Sequence, residues 1–130
     1  ATDAKMSGFS APRAMPRLFK IAQKPPPVGT PENAEVRSYL IEQLRGLGLE
    51  PQVQTTQSIF KTRRGFSTGV VNNVLVRKIG SKLGSATDQR KAVLLVAHYD
   101  SVTHGTGAGD YGASVAAIFE TLRALNSSPA

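Results

Sequence analysis

The chain begins with two segments whose apolar residues recur at helical spacing. In the first, Phe9 to Ala22, Ser10 is a candidate N-cap and Pro16 is expected to kink the helix, because proline cannot donate a backbone hydrogen bond. The second helix is predicted to start after Thr30 and to end at Gly48. Its apolar face is formed by Val36, Leu40, Leu44 and Leu47.

Patterns typical of strands follow the helices. Val, Thr and Ile alternate with polar residues over 52–60 and 70–79, which predicts a hairpin whose loop covers 61–68. The polar stretch 80–89 is expected to form a turn region. From Ala92 to Ala97 every residue is apolar, and this pattern predicts a central strand that is covered on both faces.

Polar side chains come directly after this apolar run. His98 and Asp100 lie two residues apart, so extended backbone directs both side chains to the same side, beyond the carboxyl end of the predicted strand. A carboxylate bonded to one imidazole nitrogen would leave the other nitrogen free to bind a metal ion. After a Gly-rich loop, Asp110 begins a last predicted helix that ends near Leu125. The series predicts a zinc hydrolase site, or half of one.

Each of these residues also has an ordinary structural interpretation. A single His at a strand end is often only hydrogen-bonded or exposed, and Asp110 could be an N-cap or first-turn acid that stabilises its helix by about 1 kcal/mol. The whole series, in order on a strand, a loop and a helix, favours the metal interpretation over these alternatives. His104 has no such context and is predicted to be a solvent-exposed loop residue.

Residues 98–125, HYDSVTHGTGAGDYGASVAAIFETLRAL, resemble metallopeptidase family twenty-eight, the zinc aminopeptidases and glutamate carboxypeptidase-like enzymes. The family motif runs His-x-Asp-Ser, a Gly-rich loop, then Asp-Asp-Gly and a helix. The likeness extends upstream, over 9–14, 24–33 and 44–50, to the membrane-anchored members of vacuolar and endoplasmic reticulum membranes and their bacterial relatives. It implies an α/β fold, the N-terminal part of a three-layer α/β/α domain with a mixed sheet and the order α-α-β-β-β-α.

The resemblance also implies a role for each candidate residue. His98 would bind one zinc ion, Asp110 would bridge two zinc ions, and the catalytic-site carboxylate Asp100 would orient His98. Such a paired site hydrolyses a peptide substrate with a Glu as general base. That Glu belongs to a later part of the family motif, and Glu120, in the middle of the last helix, does not match it and is interpreted as structural. This chain alone is therefore expected to be inactive.

Tyr111 departs from the family pattern, which usually has a second Asp or an Asn at this position. The substitution keeps an alternative open: a non-catalytic domain of the same fold that binds a peptide or a partner and has lost its metal. An exopeptidase is the first interpretation.

Length and composition add few constraints. The 130 residues are of single-domain size, with 1–8 expected to be a flexible terminus or one added during cloning and 9–130 the N-terminal part of one peptidase domain. Without cysteines, disulfides and thiolate metal sites are excluded. The net charge is +7, and the one cluster of basic residues is 61–64. This cluster is interpreted as a solvated hairpin tip rather than a nucleic-acid patch, because no aromatic platform for stacking bases accompanies it.

Two further expectations concern partners and location. No apolar run approaches the roughly 20 residues of a membrane span, so no membrane contact is expected from these residues, although the resemblance suggests an extracytoplasmic or lumenal domain of a membrane-anchored protein. A central strand without a neighbour would expose an edge, so self-association through that edge is also expected.

Overall fold

The computed structural model describes residues 5–63, 65–80 and 92–127. The predicted turn region therefore lies largely outside the described residues. In chain order the elements are α1 (Ala11–Ile21), α2 (Pro31–Gly46), β1 (Gln52–Thr62), β2 (Gly65–Leu75), a π-helical turn (Ala108–Gly112) and α3 (Ala113–Asn126).

The second helix has the ends that its sequence predicts. The Thr30 hydroxyl accepts a hydrogen bond from the Asn33 backbone N–H at 3.2 Å, which satisfies one of the free donors of the first turn. At the other end Gly48 adopts φ +72°, and the Leu49 N–H returns to the Leu44 carbonyl at 3.1 Å. This left-handed glycine and its returning hydrogen bond end the helix as predicted.

The predicted hairpin is present, but its loop is much shorter than expected. Strands β1 and β2 pair antiparallel from Gln52 opposite Leu75 to Thr62 opposite Gly65, so residues 63 and 64 alone join them. The prediction of a loop over 61–68 is wrong. Phe66 is aromatic and Thr62 and Thr68 are β-branched, residue types that suit a strand, and pairing continues through them up to the turn.

The prediction of a buried strand over Ala92–Ala97 is wrong for this chain. The described residues form one two-stranded sheet, β1 with β2, and no strand is assigned to this segment. Val93, Leu94 and Val96 are 88%, 84% and 77% exposed. Their apolar character would suit a covered strand, but a strand needs a hydrogen-bonded neighbour, and the described residues provide none here. The three-layer arrangement stays a prediction.

The core lies between the three helices and the base of the hairpin. Its central residues are Ile21, Val36, Leu40, Leu44, Leu49, Tyr111, Val115, Phe119 and Leu122. Val74 and Val76 of the hairpin base, together with Ala97 and Tyr99, pack against this cluster. These contacts hold the segment that leads to His98 against the helices.

A buried ionic network joins α1, α3 and the residues before α1. The Glu120 side chain is 0% exposed and accepts hydrogen bonds from Arg123 Nε at 2.8 Å, from Arg13 Nε at 3.2 Å and from the Ser10 backbone N–H at 3.0 Å. Arg123 and Arg13 also donate to the Gly8 carbonyl, at 2.9 and 2.7 Å. Glu120 is thus a structural residue, as its position in the sequence suggested.

Burial alone would raise the pKa of the Glu120 carboxyl. The hydrogen bonds from Arg123, Arg13 and the Ser10 N–H, with the charge of Arg123, lower the pKa by more, so it lies below its ordinary value. Stability from this shift is fully present above the unfolded-state pKa of about 4.3 and is lost as the pH falls from there through the folded-state pKa.

We expect Glu120→Ala to lower the free energy of unfolding by roughly 3–5 kcal/mol, because two arginines would lose their shared carboxylate in a largely buried place. Urea unfolding measures this loss. Glu42→Ala, at an exposed position of α2, is the control and should change the value by less than about 0.5 kcal/mol. In Glu120→Gln the loss of stability below about pH 4.3 should be smaller than in the wild type. Equal losses in the Glu120 and Glu42 variants would contradict the network's role.

The exposed apolar segment 93–96 generates a second prediction. We expect this chain to self-associate, by edge-to-edge sheet pairing or exchange of α3, because the segment presents apolar side chains and free backbone groups. Light scattering at dilute concentration measures the mass. Val93→Lys with Leu94→Lys should reduce association, whereas Ile79→Lys, at a position 74% exposed outside the segment, should not. A monomeric wild type that unfolds cooperatively would contradict the prediction.

Candidate functional site

The segment that leads into the site alternates between the core and solvent. Ala97 and Tyr99 are partly buried and pack against the core, while His98 between them is half exposed. The Tyr99 hydroxyl donates to the Asn72 carbonyl of β2, which anchors the segment beside the hairpin. Because successive side chains of extended backbone point to opposite sides, packing of Ala97 and Tyr99 turns His98 outward.

The structure brings His98, Asp100 and Asp110 together. His98 Nδ1 lies 3.0 Å from the Asp100 backbone carbonyl and 3.4 Å from its Oδ1. The carbonyl can only accept, so this contact assigns the proton to Nδ1. On the other side of the ring, Nε2 lies 3.8 Å from Asp110 Oδ1. The imidazole nitrogen that stays free therefore faces a carboxylate.

The loop before Asp110 is held by backbone and side-chain hydrogen bonds. Ser101 Oγ donates to the Gly105 carbonyl at 2.8 Å, and the Ser101 N–H donates to the Pro26 carbonyl at 3.3 Å. Gly107 adopts φ +69°, in the left-handed region that favours glycine, and its carbonyl accepts from the N–H groups of Tyr111 and Gly112. These bonds close the π-helical turn that carries Asp110.

Asp110 does not cap a helix through its side chain. It is the middle residue of the π-helical turn, the N-cap position of α3 is Gly112, and no side-chain capping bond is formed there. The Asp110 side chain is 78% exposed and directed toward His98. Single π-helical turns occur often at functional sites, where the extra residue in the turn re-aims a side chain. The geometry favours the metal interpretation over the capping alternative.

Tyr111 forms the inner wall of the site. Its side chain is fully buried, its hydroxyl donates to the Ile21 carbonyl at the end of α1 at 2.7 Å, and its ring centre lies 6.0 Å from that of His98. Burial raises the pKa of the Tyr111 phenol, and the charge of Asp100 raises it further. The sequence singled out this residue as a departure, but it did not predict that the ring would be buried beside His98.

The donor atoms suit part of a zinc site. An imidazole nitrogen and a carboxylate oxygen are ordinary zinc ligands, and two ligands at about 2.1 Å in tetrahedral geometry lie roughly 3.4 Å apart. The observed 3.8 Å between Nε2 of His98 and Oδ1 of Asp110 is close to this separation. In the described parts of the chain, no group of three or more His, Cys, Asp or Glu side chains could hold a metal ion.

His104, the other histidine of the chain, lies in the loop between the two candidate ligands. Its side chain is exposed, as predicted, and its Nδ1 lies beside the Thr103 hydroxyl. It makes no ion pair with Asp100 or Asp110, whereas His98 contacts both. The exposed loop position predicted for His104 is confirmed, and the ligand role of His98 stays a prediction.

Comparison with protein families and curated proteins identifies relatives. The model of peptidase family M28 matches residues 78–130, the part that contains His98, Asp100 and Asp110. A vacuolar membrane protease of Schizosaccharomyces japonicus is 28% identical over 130 residues, which cover 92% of this chain and 14% of that protein. A vacuolar membrane protease of Pyrenophora teres f. teres is 28% identical over 89% of this chain. The chain thus spans 14% of the length of both relatives.

Glutaminyl cyclases are among the solved structures that share this fold. The enzyme from Porphyromonas gingivalis superimposes with a TM-score of 0.73 at 24% identity, over 97% of this chain and 42% of that chain. The enzyme from Fimbriiglobus ruber superimposes with a TM-score of 0.64 at 18% identity, over 98% and 44% of the two chains. At these identities the likeness shows a shared fold.

We expect Gly107→Ala to be the most damaging glycine substitution near the site. A Cβ at this position would overlap the Tyr111 ring, in addition to the strain at φ +69°. Gly29→Ala isolates the strain, because Gly29 adopts φ +85° with no atom near the added carbon, and should cost about 1–2 kcal/mol. The midpoint of thermal unfolding should be lower for Gly107→Ala than for Gly29→Ala. The NMR signals of the His98 ring should shift only in Gly107→Ala. Equal effects of the two substitutions would contradict the claim that the buried Tyr111 ring fills the space beside Gly107.

Proposed function

We propose that this chain, which matches the model of peptidase family M28 over residues 78–130, forms part of a zinc-dependent exopeptidase domain. In this proposal His98 and Asp110 are zinc ligands, and Asp100 positions His98. The substrate is a peptide, cleaved at its N-terminus as in an aminopeptidase. The complete site would hold two zinc ions, with His98 and Asp110 among the residues that hold them.

One observation carries the proposal: His98 is held by one ring nitrogen while the other faces Asp110. In the neutral imidazole, the Nδ1 contact with the Asp100 carbonyl, at 3.0 Å, leaves Nε2 as the lone-pair nitrogen, 3.8 Å from Asp110 Oδ1. A metal-binding histidine in proteins is usually oriented in this way, by a hydrogen bond from its second nitrogen. Capping of α3 would not require Asp110 to face an imidazole.

Zinc in a paired site activates a water molecule and polarises the carbonyl of the scissile bond. The residues of this chain would supply the ligands and their orientation. Asp100 keeps the proton of His98 on Nδ1, and Tyr111 excludes water from the inner side of the ring by filling the space behind it. The general base implied by the family motif would come from residues beyond those matched here, since the chain spans 14% of the length of its relatives.

The relatives suggest a location for the protein. Both are named vacuolar membrane proteases, and we propose that this chain belongs to an extracytoplasmic or lumenal domain of a membrane-associated peptidase. None of the helices in the described ranges combines the length and apolar composition of a bilayer-spanning helix.

A second candidate is a non-catalytic domain of the same fold that binds a peptide or a protein partner. Tyr111 favours it, because a buried phenol stands where the family usually has a carboxylate or an amide beside the bridging ligand. A longer sequence of the same protein separates the two candidates. A downstream Glu-Glu pair followed by an Asp and a His supports the peptidase, and their absence supports the binding domain.

We expect zinc to bind this chain weakly, with a dissociation constant above about 1 μM. Zinc sites usually have about three or four protein ligands, and this chain offers two, His98 and Asp110. Calorimetry on metal-free protein measures the affinity. His98→Ala and Asp110→Asn should abolish binding, and His104→Ala, which removes the other histidine, should not. Submicromolar binding, or binding that depends on His104, would contradict the assignment of ligands.

We expect no aminopeptidase activity from this chain alone, because the general base and at least two of the implied ligands are missing from it. Aminoacyl-anilide hydrolysis with and without a chelator measures the activity. His98→Ala purified in the same way is the control for contaminating peptidases. Hydrolysis that a chelator abolishes in the wild type and that is absent from the His98→Ala preparation would contradict the prediction.

A further inference from the structure

The hairpin lies in a stretch of sequence that carries only positive charge. From Pro51 to Thr87 the chain contains no Asp or Glu, and the basic residues Lys61, Arg63 and Arg64 are grouped where β1 and β2 meet. Lys61 is the next-to-last residue of β1, and Arg63 lies in the turn, with both side chains exposed. No acidic residue of the hairpin can neutralise this end, so it presents a concentrated positive field.

Large apolar side chains are exposed at the same end of the hairpin. Ile59 and Phe66 are 73% and 79% exposed. Phe66 is paired directly opposite Lys61, and Ile59 lies two residues before Lys61, so all three side chains share one face of the hairpin. We refer to Ile59, Lys61, Arg63 and Phe66 as the tip patch.

The tip patch projects away from the folded core. The hairpin packs against the core cluster at its base, through Val74 and Val76, and the Tyr99 hydroxyl donates to the Asn72 carbonyl. Farther out, Val28 lies beside Gly69, three residues short of Phe66. Phe66 lies six residues beyond Asn72 on the same strand. At roughly 3.3 Å per residue this places it about 20 Å farther out. A projecting end has no surrounding walls to enclose a small ligand, but it can contact an extended surface.

We propose that the tip patch binds the surface of a lipid bilayer that contains anionic headgroups. Ile59 and Phe66 enter the boundary between headgroups and acyl chains, while Lys61 and Arg63 bind lipid phosphates and carboxylates. Exposed apolar residues beside cations are the arrangement that interfacial binding needs, because each component alone is weak. This surface is independent of the His98 site and does not rest on the proposed peptidase function.

Charge and side-chain chemistry favour a bilayer over the other polyanion partners and over a second copy. A nucleic acid would be bound by the cations and could stack on Phe66, but it offers nothing to the aliphatic Ile59. A second copy would bring its own cationic tip against this one, with like charges in contact. The proposal departs from two expectations, a solvated tip and no membrane contact from these residues, because the sequence did not show that Ile59 and Phe66 would both be left uncovered beside Lys61.

Flotation with vesicles tests the proposal, because bound protein rises with the vesicles and aggregated protein does not. The chain should float with vesicles of phosphatidylcholine and phosphatidylserine, less with phosphatidylcholine alone, and less at high salt. Lys61→Gln with Arg63→Gln should weaken binding by on the order of thirtyfold, from about 1 kcal/mol per cation. Ile59→Ser with Phe66→Ser should weaken binding at least about tenfold, from the apolar area that no longer enters the bilayer.

Matched controls distinguish binding through the tip patch from the effects of overall positive charge and of exposed apolar surface elsewhere. Lys24→Gln with Arg45→Gln removes the same charge from exposed positions elsewhere, and Val93→Ser with Leu94→Ser removes exposed apolar groups elsewhere. Both double variants should float nearly as well as the wild type, and all variants should keep the zinc affinity and thermal unfolding of the wild type. Equal losses in the control and tip variants, absence of flotation, or tighter binding to DNA than to vesicles would overturn the proposal.

Discussion

The burial of one tyrosine ring is the constraint on which the candidate site depends. Tyr111 links the carbonyl end of α1, through its hydroxyl and Ile21, to the turn that carries Asp110, and its ring stands beside His98. The same ring occupies the space that any side chain at position 107 would need. Gly107 therefore supplies both the left-handed turn and the room for Tyr111, and in this chain the two residues together hold the loop that returns Asp110 toward His98.

The second constraint is electrostatic and lies on the far side of α3. Glu120 has no exposed surface, and its cost of burial is offset by two arginines and a backbone N–H. Because these arginines also bind carbonyls of the residues before α1, the network draws that segment onto α1 and α3. The helix that follows Asp110 is thus held at both faces, by apolar packing on one and by the buried carboxylate on the other.

Apolar surface remains open in two places, and the two differ in chemistry. Residues 93–96 are all apolar and exposed, as suits a strand that lacks its partner. The hairpin tip combines Ile59 and Phe66 with cations and lies far from the core. The first surface suits a neighbouring protein strand, and the second suits the anionic surface of a lipid bilayer. Two apolar surfaces that are similarly exposed can therefore have different partners.

The sequence by itself determined what depends on local spacing and local chemistry. The ends of α2 at Thr30 and Gly48, the hairpin, and the order of His98, Asp100 and Asp110 followed from capping, alternation and motif. Tertiary structure decided what depends on distant partners: a strand over Ala92–Ala97 requires a hydrogen-bonded neighbour that its own residues cannot supply. It also decided that Tyr111 is buried, because the acceptor for its hydroxyl belongs to α1, which no local pattern around position 111 reveals.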